Sequence, residues 1–438
     1  MIFGRNKNKR ENSDDDDEDQ IELISFLGPL TGDPPDLQQN AGLVRAGLIP
    51  AKELISDAIS RRAHTFRLEP KGNAAIGMLQ VDGMPFPGPR FPAKQGLAIT
   101  QILKLLSGLN IQERSKPQRG GIKAEYGKVP YEITIDITPT SAGERLSIHM
   151  DNLKERPQSP EEIGIPEPLR DKIRSKTSTK TGVLLCCGPP RSGVTTTTVG
   201  AVRCIDAYIY TIFMLFDTGS WEIPYVTRFE QKEATDDFET TIIRCQRVDG
   251  QVLYTQPLKT HEDIRTVFEN AERCAYVAEY AAKDTVSGLL QLLEWVGNVD
   301  QVCAHLHGLL TQKLIRKLCR KCKQAYPPNP KLLARLGLQA GEVKALYRHR
   351  VPPQQLAKGE EWEVCRICGD LGYIGRTAMF EYLEMTDGLR EVLKSNPTAD
   401  AIKAQMKKDN MVTLQQDGLR LVKEGITSLE ELQRVFKS

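Results

Sequence analysis

The chain has 438 residues, of which 40% are apolar and 26% charged, with a formal net charge of +2. That length accommodates two or three domains with cores of their own, and the composition is that of an ordinary globular protein rather than a disordered or fibrous one. The near-neutral balance excludes a protein that works mainly by coating nucleic acid or anionic membrane.

Charge is unevenly placed along the chain. Arg5, Lys7, Lys9 and Arg10 are followed by 14-DDDDEDQ-20, a bipolar and poorly hydrophobic opening that cannot bury a core. With the proline-bearing stretch 28-GPLTGDPPD-36 it predicts a disordered acidic tail and linker over residues 1–40. No apolar segment follows the early basic residues, so no secretory signal is expected. The longest apolar and aromatic run, 208-YIYTIFMLF-216, falls short of the ~18 residues that span a bilayer and predicts a buried strand. Six of the ten cysteines are scattered and four form two C-x-x-C pairs. That pattern predicts reduced thiols plus a metal site, in a cytoplasmic setting.

An α+β domain is predicted over 41–152. It opens with a helix at 50-PAKELISDAIS-60, with Pro50 at its start, followed by strands at 65–69 and 74–81. A helix at 96–107 stops at Gly108. Alternating residues Tyr131, Ile133, Ile135 and Ile137, then Leu146, Ile148 and Met150, predict two strands around 138-TPTSAGE-144. The charged, proline-containing stretch within 153–180 predicts a hinge. Strand 182–187, a glycine-bearing loop, a helix from about 194 to 206 and strand 210–217 then read as the start of a parallel α/β domain over 181–318. A cysteine-bearing subdomain at 319–382 and a helical segment at 383–438 complete the chain. In that segment Thr427 and Glu430 of 427-TSLEEL-432 predict a capping box.

The loop 188-GPPRSGVTTTT-198 follows the apolar run 182-GVLLCC-187. Against the phosphate-binding pattern G-x-x-x-x-G-K-[ST], Gly188, Gly193 and Thr195 are in register, but Val194 stands where the lysine belongs. At ~4 Å and an effective dielectric of ~20 the missing lysine–phosphate contact is worth about 4 kcal/mol, the difference between micromolar and millimolar binding. Cys319, Cys322, Cys365 and Cys368 form two knuckles that would wrap one tetrahedral Zn²⁺ with four thiolates. Such a closed site is structural rather than catalytic, and neither His305 nor His307 is spaced to open it. The run 313-KLIRKLCRKCK-323 places six positive charges around the first knuckle, read as a solvated helix face or a contact with an acidic or membrane-side partner. Few aromatics interleave with them, so nucleic acid is not an expected partner.

Several segments in fixed order resemble the type II secretion and type IV pilus assembly ATPases (the GspE/PilB type). They are 107-SGLNIQERSKPQRGGI-122, 138-TPTSAGERLSIHMDN-152, 309-LLTQKLIRKLCRKCKQAY-326, 365-CRICGDLGYIGRTAMFEYLEM-385 and 411-MVTLQQDGLRLVKEGITSLEEL-432. The resemblance implies an α/β chain: a PAS-like N-terminal domain, a RecA-like P-loop domain with a four-cysteine zinc insertion, and C-terminal helices. It implies hexameric rings beneath an inner-membrane platform protein, at the cytoplasmic face of the inner membrane. It also implies ATP and Mg²⁺ contacts at Gly188, Arg191, Ser192, Gly193, Val194, Thr195, Thr196, Asp217 and Gln256, with Arg114 and Arg145 approaching from the first domain.

Several of those stations depart from the family pattern. Arg191 replaces a glycine, and Phe216 replaces an acid beside Asp217. Gln256 stands where the catalytic glutamate belongs, with Glu262 and Asp263 the nearest acids, and Ala281 replaces a histidine. A glutamine orients a water but cannot take its proton. The expectation is therefore a fold that has kept its shape and lost its chemistry. It would be a catalytically degenerate ring or regulatory subunit, alone or mixed with an active paralogue, with Arg114 and Arg145 in ion pairs. Two alternatives stay open: a divergent active ATPase using Arg191 or a neighbouring subunit's residue, and a zinc protein that binds nucleic acid.

Overall fold

The computed structural model describes residues 22–216, 221, 223–229, 237–335, 343–351 and 362–437. The chain forms two compact units, Met1–Arg156 and Pro157–Ser438. The acidic run at 14–20 and Asp217 lie outside the described residues.

The first unit runs β1 (Ser25–Pro29), α1 (Ala41–Ser60), β2 (Ala63–Lys71), β3 (Ala74–Val81), β4 (Met84–Pro92), α2 (Ala93–Leu106), β5 (Gln118–Tyr126), β6 (Val129–Thr140) and β7 (Gly143–Asn152). Its seven strands form one antiparallel sheet in the order β1-β5-β6-β7-β2-β3-β4. Period-two alternation explains how it buries one face. Ile133, Ile135 and Ile137 are at most 1% exposed and sit opposite Ile122, Ile148 and Leu146. Two local expectations change. Residues 25–29, read as linker, pair with β5 at the sheet edge. Pro50 lies inside α1 rather than at its start. The buried stripe Gly47, Ala51, Leu54, Ile55 and Ala58 outweighs the one backbone bond a proline removes.

The second unit begins with α3 (Pro160–Ile163) and α4 (Glu167–Thr177), so the stretch expected as hinge contributes buried Ile163, Ile165 and Ile173 to a core. There follow β8 (Gly182–Cys187), α5 (Val194–Arg203), β9 (Ile212–Met214), β10 (Thr227–Arg228), α6 (Phe238–Arg247), β11 (Val252–Tyr254), α7 (His261–Glu269), β12 (Ala275–Tyr280), α8 (Thr285–Val296), α9 (Val299–His305) and β13 (Leu306–Leu318). Next come β14 (Gln324–Tyr326), α10 (Pro330–Arg335), β15 (Leu346–Arg348), β16 (Tyr373–Glu384), α11 (Asp387–Ser395), α12 (Ala399–Lys408), α13 (Leu414–Lys423) and α14 (Leu429–Lys437).

The main sheet has the order β10-β9-β11-β12-β8-β13-β16 and is parallel except for β16, which runs antiparallel to β13. All six residues of β8 are buried, as a strand covered on both faces requires. Val183, Leu185 and Cys187 face one core, and Leu184 and Cys186 face the other. The strand therefore delivers its loop from the middle of a rigid sheet, at the carboxyl ends of the strands where ligands bind in open α/β folds.

The run 208–216 does not form one buried strand. Asp206 holds a turn by accepting the Tyr208 N–H through its side chain and the Tyr210 N–H through its carbonyl, leaving Tyr208 81% exposed. The basic run at 313–323 is no helix, because residues 306–318 extend the sheet between β8 and β16. At the last helix the cap is Ser428, whose Oγ accepts the Glu431 N–H. Thr427 instead donates to the Arg316 carbonyl. The capping box in this region is Thr413 with Gln416. Among the described residues no helix is long and apolar enough to cross a membrane.

Candidate functional site

The loop between β8 and α5 is shaped by close approaches. A Cβ on Gly188 would lie 2.6 Å from Ser192 Oγ and 3.2 Å from Gln312 Nε2, so any larger residue there would have to displace the Ser192–Gln312 hydrogen bond. Ser192 donates its N–H to the Pro189 carbonyl at 3.1 Å, and its hydroxyl accepts the Gln312 amide at 3.1 Å. Gln312, on β13, is fully buried, and its Oε1 has no partner among the described residues. Arg191 is exposed and holds a left-handed backbone, φ +65°, as does Gly193 at +90°. The arginine thus occupies a conformation that glycine adopts freely and other residues adopt at a cost.

Helix α5 begins at Val194. The valine is half-buried and packs against the apolar cluster of Leu184, Cys186, Val199 and Tyr254. It contributes volume and no charge. Thr195 is exposed at the mouth of the loop, Thr196 is half-buried, and Thr198 turns back to its own helix, donating to the Val194 carbonyl at 2.9 Å.

Across from α5, Glu279 on β12 sits opposite Cys186 in the parallel register. Burial raises its carboxyl above the usual range, opposed by a hydrogen bond from the Thr195 side chain and by the charge of Lys259. Sequence reading passed over Glu279, although a single acid inside the apolar run 275-AYVAEY-280 was the available signal.

Gln256 lies just past β11 and is half-buried. Phe216 is half-buried and sets its ring edge-on to Tyr254 with centroids 5.0 Å apart, so the position read as a lost acid is filled by an apolar contact. Tyr254 is fully buried and its hydroxyl has no partner among the described residues. Ala281 is exposed. Glu262 and Asp263 sit in the first turn of α7 behind the Thr260 cap. Arg114 and Arg145 belong to the first unit, where Arg145 is paired with Glu69 and Arg114 is exposed.

The four cysteines of the two C-x-x-C pairs meet. Their sulfur atoms all lie within 4.8 Å of one another, with Sγ–Sγ separations of 3.9 Å for Cys319–Cys365 and 3.5 Å for Cys322–Cys368. Pairing of β13 with β16 brings the knuckles together, Leu318 lying opposite Tyr373. A tetrahedron of sulfurs at ~2.3 Å from a zinc ion has edges of about 3.8 Å, so the spacing suits that ion. Asp370 braces the second knuckle, accepting the Cys365 N–H at 2.9 Å and the Trp362 indole N–H at 2.5 Å. The guanidinium of Arg350 stacks 3.9 Å from the Trp362 ring centroid.

A protein-family model described as "Type II/IV secretion system protein" matches residues 44–434. The "Type IV pilus assembly ATPase PilB" of Thermus thermophilus is 27% identical over 385 residues, covering 87% of this chain and 42% of that protein. The "Type II secretion system protein E" of Xanthomonas campestris is 25% identical over 406 residues, covering 91% of this chain and 68% of that protein. The chain thus spans less than half of the length of the first relative and about two thirds of the second. In three dimensions it is similar to the Legionella pneumophila ATPase DotB, with a TM-score of 0.56 at 12% identity, over 89% of this chain and 96% of that one. That likeness is one of mixed α/β fold alone.

Proposed function

We propose, from the premise that this chain belongs to the type II/IV secretion system protein family, that it is a member which does not turn over ATP. It serves as a ring or regulatory subunit of a secretion or pilus assembly machine. The observation that carries this reading is Val194 at the first position of α5, half-buried and packed against an apolar cluster. The side chain that should meet the phosphates is an aliphatic group directed to a core, and electrostatic stabilisation of a transferring phosphoryl group has no source at that position.

Two further features support it. Arg191 stands in a left-handed turn with its side chain exposed. Gln256 offers an amide where a carboxylate would be needed to take a proton. In this reading the sheet and the cysteine module are kept as a scaffold for assembly, as a homo-hexamer or mixed with an active paralogue, against a platform protein at the cytoplasmic face of the inner membrane.

The four thiolates would hold Zn²⁺ as a structural ion. Donors supplied wholly by the protein leave no open coordination position, and binding energy goes into folding.

Phosphate release by the purified full-length protein tests the reading. Expected is a rate equal to that of a Thr195→Ala control. Turnover at several per minute or faster, abolished in the Thr195 variant, overturns the reading in favour of a divergent active ATPase.

A further inference from the structure

Half of the basic run 313-KLIRKLCRKCK-323 is consumed by the fold. Arg316 is bonded to Glu431 at 2.6 Å. Lys323 donates to the Gly425 carbonyl at 2.8 Å and lies 4.4 Å from the Tyr347 ring centroid, and Lys313 lies 5.3 Å from that of Phe436. The other half is not. Lys317, Arg320 and Lys321 are exposed, as is Arg366 of the second knuckle, and among the described residues none of the four side chains has an ion-pair or hydrogen-bond partner.

The cysteines bring these charges together. Arg320 and Lys321 form the turn between Cys319 and Cys322, and Arg366 and Ile367 that between Cys365 and Cys368. The four sulfurs lie within 4.8 Å of one another, so both turns are tied to one point. Each turn residue is a single Cα step of about 3.8 Å from an anchored cysteine. Three cations therefore share one tip with Ile367, which is 57% exposed, and with Val364 beside it at 55%. Acids do not cancel the charge. Asp370 is engaged by the Cys365 N–H and the Trp362 indole, and Glu363 adjoins the tip as a single exposed carboxylate. Lys358, Glu360 and Glu361 lie outside the described residues. Zinc in four thiolates would add a formal charge of about −2 behind the surface, less than the four exposed cations carry.

What the tip offers selects its partner. Its one aromatic residue, Trp362, is taken up by Asp370 and Arg350, which leaves no ring to stack on a base or to anchor in a bilayer interface. Arginines on two separate turns suit carboxylates spaced along an extended chain, each gripped by a planar guanidinium. Ile367 and Val364 suit an aliphatic side chain between those carboxylates. We propose that the tip of the cysteine module is a docking surface for an acidic peptide segment of a partner protein, with Arg320 and Arg366 binding its carboxylates. The surface lies wholly within the second unit, and the proposal holds whether or not the chain turns over ATP.

Fluorescence anisotropy of a labelled, glutamate-rich peptide with interspersed leucines, titrated with the full-length zinc-loaded protein, tests this. Saturable binding is expected, weakened about tenfold or more by Arg320→Glu together with Arg366→Glu. Lys403→Glu together with Lys407→Glu changes the net charge equally at exposed positions of α12, and is expected to weaken binding less than about twofold. The same peptide with glutamine for glutamate is expected not to bind. Zinc content and circular dichroism check each variant. If the reversed pair loses zinc or unfolds, Arg320→Gln together with Arg366→Gln carries the expectation of a loss of about threefold or more. Absence of peptide binding, or equal weakening by the knuckle and α12 pairs, overturns the proposal. So does sedimentation with phosphatidylserine-containing vesicles that requires Arg320 and Arg366 while peptide binding does not, which would assign the surface to lipid.

Discussion

Arg316 and Glu431 meet at 2.6 Å across 115 positions of sequence, and the Glu431 carboxylate is sealed from water. Arg434 reaches the same carboxylate at 2.7 Å from the next turn of α14, and the Arg316 guanidinium lies over the Tyr373 ring at 4.1 Å. One acid thus ties the last helix to β13 and, through Tyr373, to β16, the two strands that hold the cysteine knuckles. Removing it strands two cations, one of them mostly buried. Glu431→Ala is therefore expected to lower unfolding free energy by about 3–5 kcal/mol, read from the urea midpoint, with a smaller loss for Glu431→Gln.

The same group gives a pH dependence. Burial raises the Glu431 carboxyl, but the hydrogen bonds and charges of Arg434 and Arg316 outweigh that and hold it below the ordinary carboxylate range. A depressed folded-state value contributes stability that is fully present above the unfolded value, about 4.3. It is lost as pH falls through the folded one. Thermal midpoints of wild type and Glu431→Gln, measured from pH 7 down to pH 3, are expected to differ most at neutral pH and to converge in acid. A gap that stays constant across that range would remove the assignment.

Thiol chemistry distinguishes the two classes of cysteine. Burial, the largest influence on each, pushes Cys187, Cys204 and Cys245 up to about 12, so they stay protonated and unreactive at pH 8. The Cys319, Cys322, Cys365 and Cys368 cluster is expected to carry one zinc per chain by elemental analysis. The folded protein should react slowly with a disulfide reagent until a chelator is added, and then release four thiols in step with the zinc. Cys365→Ser is expected to lose the ion and lower the thermal midpoint, because ion binding is part of the folding free energy.

How much of this was legible in the sequence depends on the range of the interaction. The loop and the knuckles are local patterns, and Gly188, Gly193, Val194 and the cysteine spacing state themselves. The alternation of Ile133, Ile135 and Ile137 did the same for a strand. What sequence could not show is what depends on pairing between distant segments. Glu279 lies opposite Cys186 only because β12 pairs with β8, a register between strands some ninety residues apart. Residues 25–29 looked like linker because an edge strand needs only five residues and tolerates proline. The run at 208–216 looked like a strand because its apolar content hides a turn set by Asp206. Thr427 was displaced as a cap by the Arg316 carbonyl, a tertiary acceptor outside the local pattern.

Arg191 gives a prediction in which stability and ligand affinity part company. A non-glycine residue in the left-handed region costs roughly 1–2 kcal/mol, whereas glycine adopts it freely but loses about 0.5–1 kcal/mol through the entropy of the unfolded chain. At φ +65°, with the side chain exposed and no ion pair to lose in the described structure, Arg191→Gly is expected to stabilise the protein by about 0.5–1 kcal/mol, a rise of roughly 1–3 °C in thermal midpoint for a unit of this size. Gly193→Ala is the converse case: at φ +90° it should cost about 1 kcal/mol or more. If Arg191 served as a substitute cation for the absent lysine, its removal would also abolish nucleotide binding. The expected result is a more stable protein whose titration with Mg·ATP is indistinguishable from wild type, since a strained backbone and an uncharged first helical residue are separate properties of the loop.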